Sequence, residues 1–305
     1  MSMDITLLKE EQIWGDKALQ AIKSYGTKVG MSDLAVLLGG AVSSSNTTTS
    51  DGQRSAYVWS ASSDANGDVR AVYNSGDRDC SNPDKRNLGA RPALPSSVAS
   101  SIRLSEAKPS QKISGVDVVE YGEYPQTIAE ENITRELEQA FSRNQLQKTG
   151  KTYNFDSEKR DAYDKPFNAK EHAEYQHKGK KYIRVEAKPY DYDNDHSVLS
   201  NGKTPQTGEV YWVEVQPIEW LRDPSGICVA RQALFAGVQF DRNKRYDGKF
   251  ENTDMKKYLQ NHFAKEMEAG RNVSVPAAIG PNTAAVLSGR EAQRQEAANA
   301  PSWPL

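Results

Sequence analysis

The sequence has few residues of the kinds that define whole classes of protein. Only two cysteines, Cys80 and Cys228, occur among its 305 residues, and they lie far apart with no CxxC spacing. This excludes a disulfide framework and a zinc ribbon, so we expect both thiols to be free. No run approaches the roughly 18 apolar residues of a membrane span. The first residues include acidic side chains and have no apolar core of signal-peptide length.

The chain also lacks a large excess of positive or negative charge. The formal net charge is −2 and the isoelectric point is about 6.2, so the chain lacks the basic footprint of nonspecific nucleic-acid binding. A mean hydropathy of −0.76 indicates a polar but foldable globular protein. We expect no nucleic-acid partner and no membrane span. Synthesis in the cytosol is expected, and export, for example within a phage particle, would need a route that the sequence does not show.

Signatures of enzymes and metal sites are scarce. No HExxH, GxSxG, P-loop or Rossmann glycine pattern occurs. Glu123 and Glu219 could form an acid pair for glycoside hydrolysis, but both lie in ordinary turn and strand contexts. Alternating carboxylates at 64–68, 77–79 and 191–195 suit calcium, yet none reaches the full EF-hand pattern. We therefore expect no catalytic residues, no bound metal and no other cofactor.

What the sequence does have is a distinctive stretch at 57–94. It opens on an aromatic strand, Tyr57–Trp59, and turns at 64–67, where Asn-Gly favours the positive φ angles of a tight hairpin. The alternating residues 69–73 predict the return strand. Residues 91–95 must be extended because each residue before a proline avoids helical geometry. The ends of the stretch have the composition of structural elements, and its polar middle has that of an exposed surface. This favours a binding surface over a catalytic pocket.

The rest of the chain predicts a mixed α+β protein. Apolar residues at helical spacing predict helices over 4–25, 33–38, 129–147 and 253–270. Runs rich in β-branched and aromatic residues predict strands at 116–122, 181–185, 210–215, 217–221 and 227–229. Pro125 is expected to end the strand before it, and residues 151–178 are expected to be mostly loop. The apolar period is lost after Gly270, so residues 271–305 predict an extended tail.

A serine-rich, aperiodic segment predicts a domain boundary. Residues 97–115 have the composition of a linker. They would separate a first module, 1–96, which displays a surface over 60–87, from a second module, 116–270.

Two groups of phrases carry a resemblance to a known family. The first is YVWS at 57–60 with GARPAL at 89–94, and the second is YGEYPQT at 121–127 with PIEWL at 217–221. Together they resemble a family of proteins from gut bacteria and their phages. Its first module is similar to the C-type-lectin fold, as seen in the variable proteins of diversity-generating retroelements. The resemblance implies a C-type-lectin-like module plus a second strand-rich mixed α/β module.

The resemblance also implies which residues contact a ligand. In the retroelement proteins the varied residues lie on the exposed face of a lectin-fold scaffold. Here the scaffold would be Trp59 and Gly89–Leu94. The composition of the displayed run is that of adaptable binding loops. The implied ligand-binding residues are Ser62, Asp64, Asn66, Tyr73, Asn74, Asp77, Asp79, Ser81, Asn82 and Asp84.

The function expected from the sequence is ligand recognition. The ligand would be a protein or glycan on a cell surface, bound by a phage or bacterial receptor-binding or variable protein. Three alternatives stay open: a carbohydrate-active hydrolase, a structural subunit of a phage or surface assembly, or a hairpin that is only a solvated chain reversal. The oligomeric state is open too.

Overall fold

A computed structural model describes residues 3–45, 47–102, 104, 113–156, 167–190 and 196–268. It shows a mixed α+β protein with more strand than helix, as expected. Residues Met1–Ala269 cluster as one unit. The predicted tail at 271–305 and the aspartate run at 191–195 lie outside the described residues.

The main sheet of the described chain is built around one long central strand, β11 (Val210–Arg222). On one edge β11 pairs antiparallel with β7 (Asp117–Ile128), and on the other with β10 (Lys180–Glu186) and then β12 (Cys228–Ala230). The strands beyond β10 and β12 are β9 (Ala169–His177), β8 (Gln147–Asp156), β6 (Pro92–Leu94) and β1 (Thr6–Leu7).

This sheet crosses the predicted linker. Strands β6 and β1 precede it in sequence, yet they continue the sheet formed by β12 and β11, which follow it. The first turn of the predicted linker is helical, since α4 spans Ser96–Ser101. One hydrophobic cluster also contains residues from both sides of the linker. The two predicted modules therefore share a sheet and a core.

The predicted hairpin is confirmed and extended by one strand. Strands β3 (Val58–Ser63), β4 (Val69–Val72) and β5 (Arg78–Ser81) form an antiparallel meander. Gly67 has a φ of 85°, which a side chain would disfavour, so the turn uses the glycine of the Asn-Gly pair. Strand β5 was not predicted, because charged residues conceal its alternation.

The helices are short, and one predicted helix is wrong. They are α1 (Glu10–Ile13), α2 (Gln20–Tyr25), α3 (Asp33–Leu37), α4, α5 (Glu131–Ser142), α6 (Asp254–Tyr258) and α7 (Ala264–Glu268). The single helix expected over 4–25 is β1, α1 and α2 instead, with Gly15 at a φ of 79° between the two helices. The cap predicted for α3 is confirmed, because the Ser32 hydroxyl accepts from the Ala35 amide at 3.2 Å.

Two further expectations are wrong for physical reasons. Residues 151–178 were expected to be loop, but β8 and β9 occupy much of them, and β8 buries Tyr153 and Phe155, whose alternation is concealed in the sequence by the polar and charged residues around them. Pro125 does not end β7, because among the described strands β7 pairs with β11 alone. A proline that donates no hydrogen bond is tolerated on such an edge strand.

The C-terminal helical segment follows the predicted stripe. A short 3-10 turn (Phe250–Asn252) leads into α6, a π-helical turn (Leu259–Phe263) joins α6 to α7, and Met255, Leu259 and Met267 are buried. Together with β2 (Gly30–Met31), which pairs in parallel with β13 (Gln232–Ala233), these elements complete the fold around the main sheet.

Candidate functional site

A polar cleft of about 750 Å³ opens beside the paired strands β7 and β11. Its walls come from the start of α3, the loop at 51–54, the loop at 198–202 and the strand β13. The polar side chains that line it are Ser32, Asp33, Asp51, Gln53, Arg54, Glu120, Gln126, Thr127, Ser200, Glu214, Gln216, Glu219, Arg231 and Gln232. Cavities of this size are typical of sites that bind small molecules or a few units of a polymer.

Two bulges in β7 shape the wall of the cleft. The register passes from Glu214↔Thr127 to Val215↔Pro125, so Gln126 is an extra residue without a partner on β11. Bulges redirect side chains and are frequent beside functional sites. The side chain of Gln126 turns across β11 and donates to the carbonyls of Gln216 and Pro217, both at 3.0 Å.

The second bulge depends on a glycine. Between Glu123 and Glu120 the strand β7 has one residue more than β11, and Gly122 takes a φ of 71° there. A Cβ atom on Gly122 would lie 3.2 Å from the carbonyl oxygen of Met267. The glycine and the glutamine of the YGEYPQT phrase therefore form the two irregularities of this strand.

One arginine joins two carboxylates in the cleft. The Nε and Nη2 atoms of Arg231 contact Asp51 Oδ2 at 2.7 and 2.6 Å, and Nη1 contacts Glu219 Oε2 at 2.5 Å. Asp51 also accepts from the Tyr25 hydroxyl at 3.0 Å and from the Thr49 hydroxyl. Hydrogen bonds between charged partners are short and strong, so this wall is fixed before any ligand arrives.

The electrostatics keep Asp51 ionised. Burial by itself raises the pKa of the Asp51 carboxyl, but the hydrogen bonds from Thr49 and Arg231, with the Arg231 charge, bring that pKa below its usual range. Asp51 therefore stays a carboxylate at neutral pH. Its role is to accept hydrogen bonds and to hold Arg231.

Amide side chains form a second fixed array. Gln232 donates from Nε2 to Gln126 Oε1 at 3.0 Å, and the Thr127 hydroxyl donates to Gln216 Oε1 at 3.0 Å. These bonds set the direction of each amide group, which has both a donor end and an acceptor end. The cleft thus presents amides in defined orientations rather than as mobile surface groups.

Asp33 fixes the opposite side of the cleft. Its carboxylate accepts from the Ser200 amide at 2.6 Å, from the Ser200 hydroxyl at 2.7 Å and from the Ile128 amide at 2.9 Å. Asp33 is only 4% exposed. It therefore ties the 198–202 loop to the end of β7. These hydrogen bonds hold that part of the cleft rim in place.

The lining charges disfavour anionic ligands. Five carboxylates line the cleft against two guanidinium groups, those of Arg54 and Arg231. A ligand rich in hydroxyl groups suits such a lining, because carboxylates, amides and a guanidinium can accept from it and donate to it. A phosphate or carboxylate ligand would be repelled by the net negative charge.

The acid pair considered for hydrolysis is not assembled in the cleft. Glu219 lines the cleft but pairs with Arg231. Glu123 pairs with Lys181 at 2.5 Å and is not one of the lining residues.

The residues predicted for display divide into three groups. Asn66, Asp77, Asp79 and Asn82 are exposed, and Ser62, Asp64, Tyr73 and Asn74 are half-buried. The prediction that Ser81 and Asp84 are displayed is wrong, because they are only 7% and 8% exposed. Ser81 lies opposite the fully buried Val69, which places it on the inner face of the meander.

Several of the predicted display residues hold local structure. Asp64 Oδ1 accepts from the amides of Asn66 at 2.8 Å and Asp68 at 2.9 Å, which closes the hairpin turn. The Ser62 hydroxyl accepts from the Glu10 amide at 2.9 Å. These contacts leave the exposed group and Tyr73 as the residues of the meander best placed to meet a partner.

Tyr73 belongs to an aromatic cluster near the cleft. Its ring lies 5.1 Å from that of Tyr57, edge to face, and Tyr57 lies 5.9 Å from His196. His196 Nδ1 lies 2.6 Å from the carbonyl oxygen of Val42, a residue that lines the cleft. The aromatic cluster is therefore linked to the rim of the cleft through Val42.

Alternating carboxylates in the hairpin do come together with Cys80. Donor atoms of Asp64, Asp68 and Cys80 lie within 4.8 Å of one another. The bonds that Asp64 makes to the turn amides account for its position, and calcium would need six to eight oxygens. Both cysteines are free, as expected.

Comparison of the chain with protein-family models, with curated proteins and with solved structures found no match. In the part of the chain that the structure describes, no helix is long and apolar enough to cross a membrane.

Proposed function

We propose that this protein recognises a glycan on a cell surface and that the glycan binds in the polar cleft. The observation that carries the proposal is the fixed array of amides with the Asp51–Arg231–Glu219 chain in a cavity of about 750 Å³. Sugar hydroxyls donate and accept hydrogen bonds, and a site built to pair with them rejects ligands that leave its polar groups unpaired.

Recognition is favoured over hydrolysis by the pairing of the charges. Retaining and inverting glycosidases need two carboxyl groups on either side of the scissile bond, one of them able to donate a proton. In the cleft, Asp51 and Glu219 share Arg231. Such groups position a ligand, and they are poorly suited to give up a proton.

The meander would supply a second contact surface for the same ligand. Asn66, Asp77, Asp79 and Asn82 project from it, and Tyr73 joins the aromatic cluster next to the rim of the cleft. A C-type-lectin-like scaffold with a diversified surface, in a phage or bacterial receptor-binding protein, stays part of this proposal. Its support is the resemblance of the phrases and the exposure of these four residues.

A glycan array with matched variants tests the proposal. Gln216→Ala removes an amide from the cleft, and Gln206→Ala removes an exposed amide outside it. We expect the protein to bind a glycan, Gln206→Ala to bind as well, and Gln216→Ala to bind about fivefold more weakly, since one hydrogen bond contributes about 1 kcal/mol. Equal binding by the two variants would place the ligand elsewhere, and binding only to peptides would identify a protein ligand.

A further inference from the structure

A buried arginine lies behind the cleft with part of its hydrogen-bonding capacity unused. Arg91, in the GARPAL phrase, is 6% exposed. Its Nε atom donates to the carbonyl of Ala230 at 2.6 Å, and its guanidinium lies over the Tyr25 ring, 5.6 Å from the centroid. Its Nη2 atom is buried and has no hydrogen-bond partner among the described residues.

Among the residues that the structure describes, no carboxylate is in contact with the positive charge of Arg91. Burial lowers the pKa of Arg91 to about 10, so the group is still a cation at neutral pH. Asp51 is separated from it by Tyr25, whose hydroxyl bonds Asp51, and Asp51 is already paired with Arg231. Buried charges are normally paired, because an isolated one is costly to desolvate.

A second residue of the core also has an unused donor. Trp59 is 2% exposed, and its indole Nε1 has no partner among the described residues. Arg91 and Trp59 both line a small internal cavity of about 10 Å³. That volume is enough for one occupant of the size of a water molecule. The other lining side chains are Leu8, Ile13, Val29, Val58 and Val72, which are apolar, and Thr27.

We propose that this cavity is a binding site for one monatomic anion, chloride under ordinary conditions, held by Arg91 Nη2 and Trp59 Nε1. Two residues with a buried, unused donor, one of them charged, line this cavity, and its other side chains offer only the Thr27 hydroxyl. An anion accepts from both donors and neutralises the guanidinium. A water molecule would accept from both but would bring two hydrogens of its own that need acceptors.

The site would support the cleft from behind. Arg91 contacts the ring of Tyr25, Tyr25 holds Asp51, and Asp51 holds Arg231 in the cleft wall. The anion site does not depend on what the cleft binds, so the two proposals fail separately.

The first test is thermal unfolding of the full chain in sodium chloride and in sodium gluconate at equal ionic strength. Gluconate is too large for the cavity. We expect the melting temperature to rise in chloride by about 5–10 °C at a hundred times the dissociation constant, because the ligand binds only the folded state. Equal melting temperatures in the two salts would overturn the proposal.

Two variants localise the effect. Trp59→Phe keeps an aromatic ring but removes the donor from the cavity, and it should lose most of the chloride dependence. Trp14→Phe is the matched control, because the indole of Trp14 donates elsewhere, to the carbonyl of Gly76 at 3.2 Å. It should keep the full dependence. An unchanged dependence in Trp59→Phe would overturn the assignment of the site.

Crystals soaked in bromide give a direct second measurement, which does not depend on the stability of any variant. An anomalous peak between Arg91 and Trp59 is the expected result. A water molecule there, with no anomalous signal, would show that the cavity holds solvent and would overturn the proposal.

Discussion

Two regions of this protein hold charged groups partly or wholly out of water, and the two regions treat them differently. In the cleft, Asp51 and Glu219 both contact Arg231. Where α7 packs on β8, Glu266 Oε2 and the amine of Lys151 are buried and have no hydrogen-bond partner in the part of the chain that the structure describes. In the cleft, the hydrogen bonds from Thr49 and Arg231 lower the pKa of Asp51, which keeps its charge.

Unpaired burial has the opposite effect. Burial raises the pKa of Glu266 to about 7, although the hydrogen bonds from Asn154 oppose the shift. Burial also lowers the pKa of Lys151. Both shifts favour the neutral forms. The comparison shows that the partner, and not the depth alone, decides whether a buried group keeps its charge.

The largest expected effect comes from the unpaired region. The pKa of Glu266 is about 7 in the folded chain and about 4.3 when unfolded. The proton is held more tightly in the folded state, so the stability it contributes is present below pH 4.3 and is lost as pH rises to about 7. The loss is about 2–4 kcal/mol in the free energy of unfolding.

Glu266→Gln sharpens this prediction, because glutamine keeps the shape and cannot ionise. Urea unfolding at pH 4.5 and pH 8 should show the variant close to the parent at the lower pH and more stable than the parent at the higher pH. Parallel pH profiles for the two proteins would show that Glu266 does not carry the shift.

Breaking the ion pairs of Arg231 in the cleft should lower the free energy of unfolding slightly less than the ionisation of Glu266 does. Arg231→Met leaves Asp51 and Glu219 without their partner, and we expect the free energy of unfolding to fall by about 2–3 kcal/mol, less than for a fully buried pair because Arg231 is partly exposed. Glycan binding should fall with it. Lys203→Met, which breaks an exposed pair with Glu131, is the control and should leave the free energy of unfolding nearly unchanged. Equal losses in both variants would contradict the distinction.

The bulge that shapes the cleft is the next test. Gly122→Ala puts a side chain at a positive φ and against the Met267 carbonyl, so it should cost about 1–2 kcal/mol. Gly179→Ala is the matched control, since Gly179 also has a positive φ but its Cβ would meet no atom within 4 Å. Denaturant unfolding compares the two. A larger loss for Gly179→Ala would mean that the Met267 contact does not constrain this strand.

The smallest effect is expected on the meander. Substituting alanine at Asn66, Asp77, Asp79 and Asn82 together should change the melting temperature by no more than a few degrees, because these side chains are exposed. Replacing Ser81 with a bulky residue should cost more, since Ser81 is buried. If the fourfold variant unfolds, these side chains hold the structure together, and the hypothesis of a displayed surface is wrong.

The sequence predicts the elements whose signals are local. The Ser32 cap of α3, the Asn-Gly hairpin and the apolar stripe of Met255, Leu259 and Met267 all depend on residues within a few positions of one another, and all are confirmed. The long helix expected over 4–25 failed because apolar spacing alone does not register Gly15, which separates α1 from α2.

The candidate site could not be predicted in the same way. Asp51 lies in a polar loop that looked aperiodic, and Arg231 is 180 positions away, so only the tertiary fold brings them together. Bulges leave no periodic signal either, and Gln126 looks like an ordinary strand residue. The recognisable phrases YGEYPQT and PIEWL were the usable signal, because they contain Gly122, Gln126 and Glu219.

The most direct test of the central claim is a crystal structure of the protein with the glycan that the array selects. We predict that the glycan lies in the cleft, with its hydroxyls within hydrogen-bond distance of Gln216 and the Asp51–Arg231–Glu219 chain. A glycan bound only on the meander, around Asn66 and Asp77, with the cleft holding water alone, would contradict this account.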